Sequence, residues 1–256
     1  QCDPFHANGE SFAGLLFNTF HGAVNLPSLR ISPIRRPVFG LLVCAFAFWM
    51  IAAAYGGADF DRLLVSLTQR WGGGVATKFN AWRALVVGAA TATDADKIKR
   101  ANDFFNRQMQ FGDDSAIWGQ VDFWATPMES LGKGAGDCED FAIAKYFTLK
   151  EMGVASDKLR LIYVRARTGT SDVAQSQAHM VLAYYAQPDA EPLVLDNLIG
   201  EIRPASRRLD LVPVFSFNSE GVYTGTPGKE GSVSVGVGRL SRWEDLLKRA
   251  RLEGFE

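Results

Sequence analysis

The chain has 256 residues, of which 47% are hydrophobic and 21% charged, and its formal net charge is −1. That length holds one sizeable domain, or one domain and a leader, and the composition excludes a disordered chain or a multi-span membrane protein. A balance this close to neutral gives no electrostatic case for a nucleic-acid partner.

At the N-terminal end, Arg30, Arg35 and Arg36 precede the uncharged run "VFGLLVCAFAFWMIAAA" at 38–54. A positive region, an apolar stretch and a small-residue exit predict a secretory signal peptide inside a leader of residues 1–54, and hence export to the periplasm. The run is slightly long for a signal core and short for a comfortable membrane span, so a retained inner-membrane anchor is the second reading. Residues 1–29 begin with Gln and show no pattern; they are candidates for translated upstream sequence rather than functional protein. The leader takes with it Cys2, Cys44, His6, His21, three arginines and two acids. The domain at 55–256 then keeps one cysteine, Cys138, one histidine, His179, and 24 basic against 26 acidic residues. An internal disulfide is excluded there, although export implies an oxidising compartment. A Cys/His zinc site is excluded too, because it needs three or four such ligands. A lone thiol in an exported domain points to chemistry.

Along that domain, residues 59–71 and 76–87 are expected to be short helices around the "GGG" at 72–74. Residues 93–111 form a clearer amphipathic pattern, with Ile98, Ala101, Phe104, Phe105 and Met109 on one core-facing side. "TPMES" sets Thr126 as N-cap, Pro127 in the first turn and Glu129 at the third position, a capping box. A further helix is expected from Asp137 or Cys138 to Met152, stopped by Gly153. The pattern then changes. Residues 159–167, 178–186, 192–197 and 211–217 are rich in β-branched and aromatic side chains and read as strands. Residues 225–238 are a glycine-rich loop region, and "SRWEDLLKRA" is expected to be a helix capped by Ser241. Helices first and strands afterwards predict an α+β domain, N-terminal helices packed on a mostly antiparallel sheet.

Cys138 lies where a glycine-rich loop turns into a helix, so its thiolate would face the positive end of the helix dipole. His179 falls early in the second strand and Asp196 at the end of the third, and adjacent antiparallel strands would bring the two together. The roles follow: Cys138 attacks a carbonyl, His179 takes and returns the proton, and Asp196 orients the imidazole and stabilises its charged form. For each residue alone the plain reading is structural, as a small buried thiol, a strand histidine or a turn-capping acid. Cys138 and His179, however, make the one Cys–His pair this domain allows.

The segments "GKGAGDCEDFAIAKYFTLKEMG", "AHMVLAYY" and "PLVLDN" resemble the bacterial transglutaminase-like cysteine proteases of the LapG type, with similarity over residues 60–249. Cys, His and Asp stand in the family's order, separated by 41 and 17 residues. The resemblance implies a papain-like, transglutaminase-type fold and a calcium-dependent endopeptidase. Its substrate would be the N-terminal region of a large surface adhesin, cut at a double-alanine site to release biofilm cells. The periplasmic domain of an inner-membrane cyclic-di-GMP receptor would sequester the enzyme. By the same resemblance Asp137, Glu139 and Asp140 would bind calcium through oxygen ligands. The plainer view is that acids in a first helical turn stabilise the macrodipole. Yet carboxylates flanking a thiol oppose its ionisation unless a cation offsets them. Remaining ligands would be backbone carbonyls or distant side chains, because the spacing is not that of an EF-hand loop. The Cys138 backbone N–H is one natural oxyanion donor. Since related sites can use a Trp indole, Trp118 is favoured as the second over Gln120 and Trp124. Two other functions fit the same residues: a transglutaminase-type acyl transferase, and a non-catalytic calcium-dependent receptor-binding module. The module has no need of all three of Cys138, His179 and Asp196.

Overall fold

A computed structural model describes residues 59–168, 175–223 and 237–255. The leader, its signal-or-anchor question and residues 225–236 of the expected glycine-rich loop lie outside the described residues, and the last two of that loop, Val237 and Gly238, are helical. Among the described residues, no helix is long and apolar enough to cross a membrane.

Three helices come first: α1 (Phe60–Trp71), α2 (Ala76–Gly88) and α3 (Asp94–Gln108). Each of α1 and α3 starts where a polar side chain caps it, Asp59 accepting from the Arg62 N–H and Thr93 from the Asp96 N–H. On α3 the expected stripe is realised: Ile98, Ala101 and Phe105 are buried, with Phe104 packed at its margin. The helix stops three residues sooner than the periodicity suggests. Met109 is extended, and β1 (Gln110–Phe111) pairs in parallel with β2 (Ala135–Gly136), so the backbone groups after residue 108 bond across to another segment.

After the short helix α4 (Asp114–Ile117), helix α5 (Pro127–Lys133) opens with the full Thr126–Glu129 capping box and ends at Gly134 in the left-handed region. Helix α6 (Cys138–Glu151) is the centre of the molecule. Residues 139–149 are all buried, because α6 packs on α3 and α5 on one side and on the sheet on the other. A helix enclosed on every side carries apolar residues all round rather than a stripe, and Phe141, Ala142, Ile143, Ala144, Phe147 and Leu149 meet that condition. Gly153, at φ 80°, terminates it.

The sheet has six strands in the order β6-β5-β4-β3-β7-β8, every neighbouring pair antiparallel. The strands are β3 (Leu159–Thr168), β4 (Gln175–Tyr184), β5 (Leu193–Leu195), β6 (Arg203–Pro204), β7 (Leu211–Phe217) and β8 (Val222–Tyr223). β4 begins three residues before the expected start because β3 pairs with it along its whole length, from Leu159 opposite Tyr184 to Thr168 opposite Gln175. The last helix, α7 (Val237–Glu253), begins four residues before Ser241. Ser241 is therefore inside the helix and is not its cap. Arg249 of α7 donates to Glu129 and to the Trp124 carbonyl, so α7 is fastened to the start of α5. The α+β architecture, helices against a mostly antiparallel sheet, is the one expected.

Candidate active site

Cys138 is the first residue of α6, and Asp137 before it is extended with a carboxylate that caps nothing. His179 is on β4. Asp196 directly follows β5, whose pairing with β4 ends at Leu182 opposite Leu195, three residues from His179. The side chains meet there: His179 Nε2 lies 2.8 Å from Asp196 Oδ1, with both residues buried. Cys138 and His179 line one open cleft of about 370 Å³, together with Met180, Tyr163, Trp124 and Asp137.

An ionised carboxylate only accepts hydrogen bonds, so the proton in the 2.8 Å contact belongs to His179 Nε2. The neutral ring then carries its lone pair on Nδ1, the nitrogen free to exchange a proton with a thiol. Burial works against the charge on Asp196, but the hydrogen bond and charge of His179, the Leu198 N–H and Arg208 outweigh it and hold the carboxyl at about 2. Asp196 is further fixed through its backbone, since Asn106 of α3 donates to its carbonyl at 2.8 Å.

The thiol has the opposite environment. Its S–H donates to Glu139 Oε2 at 3.0 Å, and its sulfur accepts from the Met180 backbone N–H. Burial first, then the charge of Glu139 and its hydrogen bond, then Asp137, push the Cys138 thiol far up. The neighbouring acids are raised as well, each chiefly by burial. Asp137 goes to about 8, helped by the charge of Glu139; Asp114 goes to about 6, helped by Asp137; Glu139 and Asp140 move in the same direction. A cation would relieve all of these at once.

The donor set suits one. Asp114, Asp137 and Asp140 bring carboxylate oxygens within 4.8 Å of one another. Asp140 Oδ1 accepts from the Ala125 N–H at 2.8 Å and Asp114 Oδ2 from the Phe123 N–H. Asp114 Oδ1, Asp140 Oδ2 and Asp137 Oδ1 are buried without a hydrogen-bond partner. Three orphaned anionic oxygens in one place match the needs of a hard cation such as calcium. Glu139 sits differently, in a group with Asp137 and Cys138 beside the sulfur.

Trp118 does not line the cleft. Residues 118–124 turn back tightly, with Gly119 at φ 66° and Asp122 at φ 59°, and this folds the Trp118 ring onto Trp71 and Phe123. Its Nε1 is buried there without a partner. Trp118, the residue expected as second oxyanion donor, thus packs on Trp71 and Phe123 rather than among the residues lining the cleft. Trp124 is the tryptophan on the cleft, and its Nε1 donates to Asp122 Oδ1 at 2.9 Å. Gln120 faces a neighbouring pocket between this turn and α7.

The family model described as bacterial transglutaminase-like cysteine proteinase (BTLCP) matches residues 82–208, a span containing Cys138, His179 and Asp196. Among solved structures the chain resembles LapG of Legionella pneumophila, at 37% identity and TM-score 0.62 over 76% of this chain and 98% of that one. This chain belongs to the BTLCP family. The calcium-bound form of the same Legionella protein matches at 39% identity and TM-score 0.60, over 73% of this chain and 96% of that one. Its EGTA-treated form matches at 38% and 0.63, over 76% and 98%. No curated protein sequence matches. BTLCP membership makes the chain a cysteine protease by family and identifies its fold as transglutaminase-like.

Several residues of this BTLCP site carried no signal in the sequence. Asp114 is 23 positions before Asp137, in an ordinary acidic pair, and reaches the cluster because β1 and β2 pair beside it. The Met180 N–H and Arg208 are equally silent, since neither a backbone donor nor one arginine among many stands out by type.

Proposed function

We propose that this protein is a calcium-dependent cysteine endopeptidase whose catalytic groups are Cys138, His179 and Asp196. The observation that carries this reading is the buried His179–Asp196 pair, whose histidine lines one cleft with Cys138. In the reaction His179 Nδ1 accepts the thiol proton while Nε2–H stays on Asp196. The sulfur attacks the scissile carbonyl carbon, and the developing oxyanion is met by the Cys138 backbone N–H at the α6 N-terminus, where the dipole favours negative charge. His179 then returns the proton to the leaving amine, and water attacks the thioester by the same route reversed. Asp196 orients the ring and stabilises the imidazolium.

Asp114, Asp137 and Asp140 would hold calcium, with Glu139 alongside, and the ion would supply positive charge next to the nucleophile. The calcium-bound relative and the three orphaned oxygens support this. The finer reading follows the resemblance: a periplasmic enzyme, exported by its signal peptide, that cuts the N-terminal region of a large surface adhesin at a double-alanine site and so releases biofilm cells. Its partner would be the periplasmic domain of an inner-membrane cyclic-di-GMP receptor. The test is to incubate the purified protein with adhesin N-terminal fragments, with calcium and with EGTA, and to map the products by mass spectrometry. Cleavage between alanines only with calcium is expected; a protein that cleaves no fragment in calcium sinks the protease reading.

A further inference from the structure

Asp196 uses both carboxylate oxygens. Oδ1 accepts from His179 Nε2 at 2.8 Å and from the Leu198 N–H at 3.1 Å, while Oδ2 accepts from Arg208 Nη2 at 2.7 Å. Arg208 is 3% exposed and does not line the cleft, so a peptide bound there does not reach it. It is gripped from behind by Asp210, with Nε 3.0 Å from Oδ1 and Nη2 2.7 Å from Oδ2, a forked pair that fixes the guanidinium plane. The Asp210 carbonyl in turn accepts from the Arg167 N–H of β3. The chain of contacts therefore runs from the sheet, through Asp210 and Arg208, to Asp196 and His179.

We propose that Arg208 is a positioning residue of the catalytic site, turning the Asp196 carboxylate so that Oδ1 meets His179 and compensating its buried charge. This rests on the reading of Cys138, His179 and Asp196 as the catalytic groups. A carboxylate held at one oxygen only can rotate away from the ring; one held at both cannot. Arg208 between Asp196 and Asp210 leaves this trio with one net negative charge, which favours the imidazolium formed when His179 takes the thiol proton. Without Arg208, the buried Asp196 carboxylate would face Asp210, whose side chain is 34% exposed, with no cation between them, and like charges disfavour each other's ionisation.

The groups facing Asp196 come from four directions: His179 on β4, Arg208 with Asp210 ahead of β7, neutral Asn106 on α3, and Lys145 on α6. Lys145 is fully buried with no hydrogen-bond partner and acts on Asp196 through its charge alone. Burial lowers its ammonium to about 7, so it fades as a counter-charge above neutrality. Arginine does not lose its proton in this range. Arg208 is the cation that persists across the working pH.

The experiment uses the full chain, with Arg208→Met and Arg208→Lys beside the unsubstituted protein. The Asp196 carboxyl carbon is followed against pH by NMR, its signal assigned by its loss in Asp196→Asn, and peptide cleavage is measured from pH 5 to 8. In Arg208→Met the Asp196 midpoint should rise by roughly one unit or more. Its kcat should fall about 100-fold with KM nearly unchanged across pH 5 to 8, because Asp196 stays ionised there and what is lost is its orientation. Arg208→Lys keeps the charge but loses the fork, so its midpoint should stay near that of the unsubstituted protein while kcat falls roughly tenfold. A folded Arg208→Met protein with an unmoved Asp196 midpoint, or with full kcat, overturns the proposal. Should Arg208→Met fail to fold, full kcat in Arg208→Lys overturns it instead. If the unsubstituted protein cleaves nothing, the assignment of the catalytic groups fails, and the NMR midpoint alone still decides whether Arg208 governs Asp196.

Discussion

At the scale of single residues, the site depends on groups whose ordinary chemistry is changed by a few neighbours. Cys138→Ala and His179→Ala should each lower kcat/KM by about three orders of magnitude or more, with melting temperature little changed, because a nucleophile and its base act as a unit. Peptide cleavage assays beside thermal melting check this. Asp196→Asn should cost about 10²–10⁴ in kcat. Its amide can donate where the carboxylate only accepted, which favours the tautomer with the proton on Nδ1 and takes away the base. Unchanged turnover would assign the orienting role to another group. Asp114→Asn tests the residue that sequence reasoning passed over. It keeps the shape beside the Phe123 N–H but removes one anionic oxygen from the cluster. Calcium affinity by calorimetry should fall roughly 10- to 100-fold, or about 1.4–2.8 kcal/mol.

At the scale of elements, two of the shortest ones matter most. β1 and β2 are two residues each, yet their parallel pairing brings the Asp113–Asp114 turn beside the start of α6. Gly136 in β2 leaves no room for a side chain: a Cβ there would lie 2.5 Å from Asp140 Cβ and 2.7 Å from Asp140 Oδ2. Gly136→Ala should therefore push Asp140 off its bond with the Ala125 N–H. The expected result is a loss of about 1–3 kcal/mol from overpacking and, with it, weaker calcium binding. Thermal melts in calcium and in EGTA would show both; a variant equal to the unsubstituted protein in each would mean that the cluster tolerates the shift. The long elements were legible because their patterns are strong. α3, α6, β3 and β7 carry enough periodic or β-branched residues to be seen in one dimension. The limits of α3 and β4 were set instead by what each segment meets in space.

For the whole molecule, the acids around Cys138 contribute to how stability depends on pH, beside Glu253, raised to about 7 with the same sign, and Lys145, lowered to about 7 with the opposite sign. Asp114 and Asp137, raised to about 6 and 8, bind protons more tightly folded than unfolded, where a carboxyl titrates near ~4. The native state then holds more protons than the unfolded state between those values, so in chelator stability should fall as pH rises from about 4 to 8. Asp196, held at about 2, has the opposite sign. Its contribution is complete above the unfolded value and is lost as pH falls through about 2. Calcium on the acid cluster would replace those protons. The gain in melting temperature on adding calcium should therefore be larger at pH 8 than at pH 5, by an amount on the order of 2–4 kcal/mol in stability. Scanning calorimetry at the two pH values, each with calcium and with EGTA, measures it. Equal gains at both would place the ion away from this cluster.

What the sequence alone determined were the properties carried by local pattern. The α+β order, the start of α6 at Cys138, the capping box at Thr126 and the candidate groups Cys138 and His179 were readable, because helix periodicity, strand composition and residue scarcity are visible in one dimension; Asp196, one acid among many, stood out only by its order after Cys and His. Tertiary structure decided everything that depends on a backbone bending back on itself. Trp118 looked suited to the cleft by type, but the turn at 119–122 puts it against Trp71, and no composition rule registers a left-handed Asp122. Asp114 and Arg208 belong to the site because β1, β2 and the approach to β7 carry them there. Their side chains hold charge that matters only once burial strips away water, and burial exists only when the chain has folded.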